Sequence, residues 1–104
     1  MNTYCLNDEV REKFKPQVEE FISLLEEEKI EELDLDLTFK GISPMQLKEL
    51  LEELGYEDMD LDTNGWEHDF WWYFNNPNKK GYAKKLCISG CSMAFEMKLY
   101  AYER

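Results

Sequence analysis

Hydrophobic residues recur with the period of an α-helix over the first quarter of the chain. From an N-cap at Asn7 or Asp8, this pattern continues to about Lys29, with glutamates on the opposite side. Pro16 lies inside it and cannot donate a backbone hydrogen bond, so we expect one helix that is broken or kinked there. We interpret the acidic side as a solvated face, with partner binding as the alternative. The apolar positions are Val10, Phe14, Val18, Phe21, Ile22 and Leu25, and the glutamates are Glu12, Glu19, Glu20, Glu26 and Glu27.

A second helical pattern is bounded by end signals on both sides. Ser43, Pro44 and Gln46 form a capping-box sequence with proline at the first helical position. Leucines follow at helical spacing, and Gly55 supplies the left-handed residue on which helices commonly end. We therefore predict a helix over residues 44–54. Its core-facing residues are Leu47, Leu50, Leu51 and Leu54.

Alternation of apolar and polar residues predicts strands elsewhere. Residues 33–40 alternate without a fault, and Asp34 and Asp36 on the polar side favour an edge or a one-sided position in the sheet. On the inward side of this strand we expect Leu33, Leu35, Leu37 and Phe39. Residues 66–74 contain six of the fifteen aromatic residues, and we predict that they form the central strand.

The dipeptide Asn64-Gly65 precedes this aromatic stretch and is typical of a two-residue type I′ turn. Residues 56–63 are therefore predicted to be its hairpin partner. This register would place two pairs of carboxylates directly opposite each other, which is destabilising unless a cation or a basic partner neutralises them. The predicted pairs are Leu61 with His68, Met59 with Phe70, Glu57 with Trp72, Asp62 with Glu67, Asp60 with Asp69 and Asp58 with Trp71.

The C-terminal part of the chain begins with a loop over residues 75–81, which is rich in Asn, Pro and Gly. Residues 82–102 are too long for one ordinary strand, and the parity of their apolar positions changes at Ser89-Gly90. A hairpin with this dipeptide as its loop is favoured over a bulge in one longer strand. The hairpin would pair Ile88 with Cys91 and Leu86 with Met93.

These elements predict an α+β fold in the order α-β-α-β-β-β-β. Two helices from the N-terminal half would pack on an antiparallel sheet of about five strands. A chain of 104 residues is long enough to bury one core, so we expect residues 1–104 to form a single domain.

Composition and charge bear on the function of the protein more than on its fold. Residues 1–62 carry a net charge of −13 and residues 63–104 a net charge of +2, which together give −11. Such acidity repels phosphates and anionic lipid, so we expect no direct binding to nucleic acid or membrane and instead a basic protein partner. The alternative is that the acid serves solubility only. The odd number of cysteines and the lack of signal-peptide features favour a soluble, cytoplasmic protein.

Two candidate metal sets are weak. Asp60, Asp62, Asn64 and Gly65 reproduce the first half of a calcium-binding loop, but Trp71 stands where a bidentate glutamate belongs. Asp69 could add an oxygen from across the hairpin, so the weak cation candidate is Asp60, Asp62, Asn64 and Asp69. The spacing of Cys5, His68, Cys87 and Cys91 does not fit a zinc site, and we interpret them as buried thiols and a core histidine. We expect no metal and no cofactor.

The sequence contains no recognisable set of catalytic residues. The single histidine, His68, is committed to the predicted core face, so no base stands beside a nucleophilic Ser or Cys. The five glycines are isolated turn and cap residues and do not form a phosphate-binding loop. We therefore expect that the protein is not an enzyme.

Four aromatic residues alternate out of phase with the predicted core face. On the predicted register they lie on the far side of the sheet among carboxylates, an arrangement suited to binding a basic protein. The alternative is that the first helix covers this side and forms a second small core. The predicted partner-binding residues are Asp58, Asp60, Asp62, Glu67, Asp69, Trp71, Tyr73, Tyr100 and Tyr102.

In size and acidity the chain is similar in kind to small phage inhibitors, such as anti-CRISPR and anti-restriction proteins, and to immunity proteins that neutralise nuclease toxins. The likeness lies in size and charge and not in a shared motif. It implies a non-catalytic inhibitor or adaptor that binds the nucleic-acid-binding site of a nuclease by charge mimicry. The alternatives are a weak cation-binding module on the Asp60–Asp69 hairpin and a housekeeping interaction domain.

Overall fold

A computed structural model describes residues 5–27, 36–64, 69–91 and 96–103 of the chain. In chain order its elements are α1 (Asp8–Glu26), β1 (Asp36–Lys40), α2 (Pro44–Glu53), β2 (Glu57–Asn64), β3 (Asp69–Asn75), a short 3-10 helix (Gly81–Ala83), β4 (Lys85–Cys91) and β5 (Glu96–Glu103). The strands form one sheet in the order β1-β5-β4-β3-β2, and every neighbouring pair is antiparallel. The predicted α+β fold, with its order of helices and strands, is confirmed.

Both helices pack on one face of this sheet. The ring of Phe14 on α1 lies 5.9 Å from the ring of Phe39 on β1. The predicted apolar face of α1 is buried except for Val10, which packs at the margin of the core, and the predicted glutamates are exposed. Besides α1, the core draws side chains from α2 and from every strand except β2: Phe39, Leu47, Leu50, Leu51, Phe70, Trp72, Phe74, Leu86, Ile88, Met97 and Leu99.

Helix α1 is continuous through Pro16, so the predicted break is wrong. Pro16 is exposed, and the side chain of Gln17 donates to the carbonyl of Lys13 at 3.1 Å in the same turn. The backbone hydrogen bond that Pro16 cannot form is missing on the solvent-facing side of the helix. The buried face packs against the core both before and after the proline. The helix ends at Glu26, and the predicted end at Lys29 lies outside the described residues.

Both predicted ends of α2 are confirmed to within one residue. The backbone N–H of Gln46 donates to the Ser43 hydroxyl at 3.2 Å, and the N–H of Ser43 donates to the Gln46 side chain at 3.0 Å. At the other end Gly55 has φ of 96°, and the N–H of Tyr56 donates to the carbonyl of Leu51 at 3.0 Å. These bonds form a capping box and a Schellman motif, which satisfy groups that a helix end otherwise leaves unpaired.

The predicted register between β2 and β3 is wrong. Asn64 pairs with Asp69 and Leu61 with Trp72, so four residues, 65–68, separate the strands instead of two. Those residues, including Gly65 and the predicted pairing partners Glu67 and His68, lie outside the described residues. A shift of the register by an even number leaves each residue on its predicted face, so alternation cannot separate the two registers. Only the Asn64-Gly65 turn signal favoured the predicted register, and the pairing of the strands overrides it.

A bulge at Met59 makes a second difference. The register shifts between Asp58 and Asp60, so Met59 has no partner and Asp58 lies opposite Phe74. Asp58 consequently turns to the core side, whereas Met59, predicted to be inward, is exposed. The middle strand of the sheet is β4, and the aromatic strand β3, predicted to be central, lies between β4 and the edge strand β2.

Ser89 and Gly90 lie inside β4 and not in a turn. Gly90 pairs with Met97 and Ile88 pairs with Leu99, so the predicted Ser89-Gly90 hairpin and its bulge alternative are both wrong. A Cβ atom on Gly90 would lie 3.1 Å from the carbonyl oxygen of Glu96 and 3.2 Å from Cγ of Met97. The glycine therefore serves close packing between strands. The connection over residues 92–95, including the predicted partner Met93, lies outside the described residues.

At the opposite edge, β1 begins at Asp36, and its predicted edge position is confirmed. Phe39 is buried and Leu37 is half-buried on the core side. The earlier part of the predicted strand, Leu33 to Leu35, lies outside the described residues.

Candidate protein-binding face

The other face of the sheet is covered by neither of the two described helices. The core that holds α1 and α2 contains residues from one side of β1, β3, β4 and β5, and the alternate residues of these strands point away from it. The alternative in which α1 covers the far side is therefore wrong. We call this side the open face. Its residues used below are Asp60 and Asp62 of β2, Asp69, Trp71 and Tyr73 of β3, Cys87 and Ser89 of β4, and Lys98, Tyr100 and Tyr102 of β5.

Pairing across the sheet orders these side chains into rows. One row crosses all five strands from β2 to β1 and consists of Asp60, Tyr73, Cys87, Tyr100 and Asp36. The next row consists of Asp62, Trp71, Ser89, Lys98 and Thr38. The aromatic residues thus occupy the middle of the face, and carboxylates border them on the β2 side.

The aromatic residues form a packed and partly accessible cluster. The rings of Tyr73 and Tyr102 meet edge to face, with 5.0 Å between their centroids. Trp71, Tyr73 and Tyr100 are half-buried, and Tyr102 is exposed. Large rings held in place by neighbours offer contact area at a small entropic cost, which is why Trp and Tyr are favoured anchors in protein interfaces.

Burial keeps the cluster uncharged. Burial raises the pKa of Tyr100 to about 12, and the neighbouring Cys87 adds to the shift. The pKa of Tyr73 is raised first by burial and then by Cys87, Asp62 and Asp60. Burial also raises the pKa of the Cys87 thiol, which therefore stays protonated and is a poor nucleophile at neutral pH. The negative charge of the open face comes from its carboxylates.

The carboxylates on the two sides of the face differ in their pairing. Near β1, Lys98 lies 3.9 Å from the Asp36 carboxylate. On the β2 side, no ion pair among the described residues includes Asp60, Asp62 or Asp69. As far as the described residues show, negative charge without a cationic partner is therefore concentrated beside Trp71 and Tyr73.

The structure places most of the predicted partner-binding residues together. The open face carries Asp60, Asp62, Asp69, Trp71, Tyr73, Tyr100 and Tyr102. Asp58 is not among them, because the bulge turns it to the core side, where its Oδ1 accepts a hydrogen bond from Trp72 Nε1 at 2.9 Å. Glu67 lies outside the described residues.

The predicted facing carboxylate pairs are wrong. Asp62 lies opposite Trp71 and Asp60 lies opposite Tyr73, so aromatic rings and not carboxylates neighbour these two acids across the strands. Sequence reasoning also missed Cys87 and Ser89, which lie between the aromatic residues of β3 and β5. The alternation of residues along β4 would have placed Cys87 and Ser89 on this face if β4 had been predicted to continue through Gly90.

The candidate cation set is not assembled by this register. Asp69 lies opposite Asn64, four residues from Asp60 along β2, which corresponds to about 13 Å. Within the described residues no group of three or more His, Cys, Asp or Glu side chains could hold a metal ion.

The three cysteines differ in their burial. Cys87 is buried and Cys91 is half-buried, but Cys5 is exposed, so the prediction of a buried thiol is wrong there. His68, predicted to lie in the core, falls outside the described residues.

No protein-family model, curated protein sequence or solved structure matches this chain. Neither helix in the described part of the chain is long and apolar enough to cross a membrane.

Proposed function

We propose that this protein is a non-catalytic inhibitor or adaptor that binds a basic protein surface through its open face. In this proposal the partner is a nuclease or another nucleic-acid-binding enzyme, and the acidic surface occupies the site that normally takes a phosphate backbone. The observation that carries the proposal is an aromatic cluster that neither described helix covers, bordered on one side by the carboxylates of Asp60 and Asp62, which form no ion pair with any described residue.

Each half of this surface has a separate physical task. Trp71 and the three tyrosines supply contact area that loses water on binding and contributes most of the affinity. The carboxylates select cationic partners, and the net charge of −11 accelerates encounter with a basic surface at low ionic strength. Direct binding of nucleic acid or of an anionic membrane is disfavoured by the same charge.

The proposal includes the cytoplasm as the place of action. The odd number of cysteines supports it, because a complete disulfide framework needs an even number. It also holds that this chain is not catalytic. The thiol of Cys87 on the open face is buried, and its raised pKa keeps it protonated, which makes it a poor nucleophile.

The test is capture followed by competition. The protein is immobilised, binding proteins are recovered from a lysate, and duplex DNA is added to displace them. We expect DNA to release the partner and the free protein to inhibit its action on nucleic acid. A partner that DNA does not displace, or whose nucleic-acid chemistry is unaffected, contradicts the proposal and favours an interaction domain whose acidity serves solubility.

Two variants with equal net charge sharpen this test. The open-face variant carries Asp60→Asn, Asp62→Asn and Asp69→Asn. The helix variant carries Glu12→Gln, Glu19→Gln and Glu20→Gln on the exposed side of α1. Inhibition should be lost in the first and retained in the second, because three charges are removed in both but only the first set borders the aromatic cluster.

A further inference from the structure

The outer edge of β2 exposes apolar side chains that the open face does not use. In the described sheet β2 has β3 as its single neighbour, and every β2 residue from Glu57 to Thr63 is exposed. Met59 is 58% exposed and Leu61 is 47% exposed. Edge strands are normally protected by charge or by a covering element, so two neighbouring apolar residues on one edge indicate a surface that a partner covers.

The backbone of this edge is arranged to accept another strand. The N–H of Leu61 donates to the Asp60 carboxylate at 2.9 Å, and therefore points away from β3. Alternate residues of an antiparallel strand point the same way, so the N–H and C=O groups of Thr63 also face outward. Beyond the bulge, residues 60–64 pair regularly with β3. They present an outer edge about 17 Å long.

The side chains along this edge specify what a sixth strand would carry. Asp60 and Asp62 lie on the open face, whereas Leu61 and Thr63 lie on the other face, opposite Trp72 and Phe70. A strand added here would place one set of alternate side chains beside Asp60 and Asp62 and the other set beside Leu61 and Thr63. Cross-strand pairing favours basic residues at the first positions and apolar residues at the second.

We propose that β2 pairs with an extended segment of the basic partner, in which basic and apolar residues alternate, so that the sheet gains a sixth, antiparallel strand. This inference rests on the proposed function and names how the partner docks. On docking, a carbonyl of the segment replaces the Asp60 carboxylate at the Leu61 N–H, and the carboxylate becomes available to a Lys or Arg side chain. A second copy of this chain does not fit, because it would set Asp60 and Asp62 against like charges.

The probe is a short peptide that alternates lysine and valine, capped at both ends. With its lysines beside Asp60 and Asp62, its valines lie opposite Leu61 and Thr63 and direct their N–H groups to β2 in an antiparallel pair. Methylation of the backbone nitrogens of the valines should therefore weaken binding by about tenfold or more, since several hydrogen bonds are lost. Methylation of the backbone nitrogens of the lysines, which face away from β2, is the matched control and should change affinity little. NMR titration should show the largest amide shifts at Leu61 and Thr63.

A pair of protein variants provides an independent check. Leu61→Ser should weaken peptide binding severalfold, whereas Met45→Ser, at an exposed apolar residue of α2, should not. If both methylated peptides bind equally and the shifts centre on Trp71 and Tyr73, strand pairing is overturned while the open face remains a site for basic partners. If no peptide binds at millimolar concentration, this inference fails, and the capture experiment still decides the proposed function separately.

Discussion

The indole N–H of Trp72 donates to the carboxylate of Asp58, with 2.9 Å between Nε1 and Oδ1. Asp58 reaches this position because the bulge at Met59 changes the side of the sheet to which β2 directs its residues. Without the bulge, Asp58 would lie on the open face with Asp60 and Asp62. Asp58 thus accepts the hydrogen bond of the Trp72 indole, while Asp60 and Asp62 remain on the open face.

Replacing Asp58 should therefore affect stability. We expect Asp58→Ala to lower the free energy of unfolding by about 0.5–1.5 kcal/mol, because the part-buried Trp72 N–H loses its acceptor. Asp60→Ala removes the same charge from the same strand, where the carboxylate accepts only from the neighbouring Leu61 N–H, and should cost less than about 0.5 kcal/mol. Urea unfolding followed by tryptophan fluorescence measures both, and equal losses would contradict the assigned hydrogen bond.

Gly90 tests the register of β4 and β5. In Gly90→Ala the new methyl group would crowd the Glu96 carbonyl, Met97 and Phe70, at distances of 3.1, 3.2 and 3.3 Å. Such overpacking should cost about 1–3 kcal/mol. Thermal unfolding checks the loss, and an NMR contact between Gly90 and Met97 in the parent checks the pairing. Parent-like stability in the variant would argue against the close approach of these strands.

The cap residues show which parts of the fold the sequence could predict. Ser43, Gln46 and Gly55 act within one turn of the helix that they bound, so their effect can be recognised without knowing the tertiary structure. The faces of α1 and β1 were predictable for the same reason, because periodicity is local.

Register and bulges are decided by contacts between distant segments. Nothing in the local sequence around Met59 marks it as an unpaired residue, and the Asn64-Gly65 signal favours a tight turn that the strands do not form. Ser89-Gly90 has the composition of a turn, but packing against Met97 and Phe70 explains its glycine. The aromatic part of the candidate site was predictable because an even shift of register preserves faces, whereas the role of Asp58 was not.

The tyrosine cluster predicts a dependence of stability on alkaline pH. The pKa of Tyr100 is raised from 10.0 to about 12 in the folded protein, so between these values the unfolded chain loses its proton first. Below pH 10 this group adds no pH dependence. Above it, the free energy of unfolding should fall as pH rises. Tyr100→Phe should fall less steeply than the parent in urea titrations across this range, and identical slopes would contradict the raised pKa.

Tyr102 separates binding from stability. It is exposed and touches Tyr73 edge to face, so Tyr102→Ala should lower the free energy of unfolding by no more than about 0.5–1.5 kcal/mol. If Tyr102 is an anchor for the partner, the same change should raise the dissociation constant by about tenfold or more. Isothermal titration with the captured partner, beside thermal unfolding of the variant, checks both values. An unchanged affinity would exclude Tyr102 from the interface.

The most direct test of charge-driven binding by the open face is the salt dependence of the association rate with the captured partner. The parent, the open-face variant (Asp60→Asn, Asp62→Asn, Asp69→Asn) and the helix variant (Glu12→Gln, Glu19→Gln, Glu20→Gln) are compared by stopped flow at several ionic strengths. We predict that the open-face variant associates about tenfold more slowly at low salt with a flatter salt dependence, while the helix variant stays close to the parent. Equal slowing in both variants would show that net charge, and not the carboxylates beside the aromatic cluster, governs binding, and would contradict the assignment of this face.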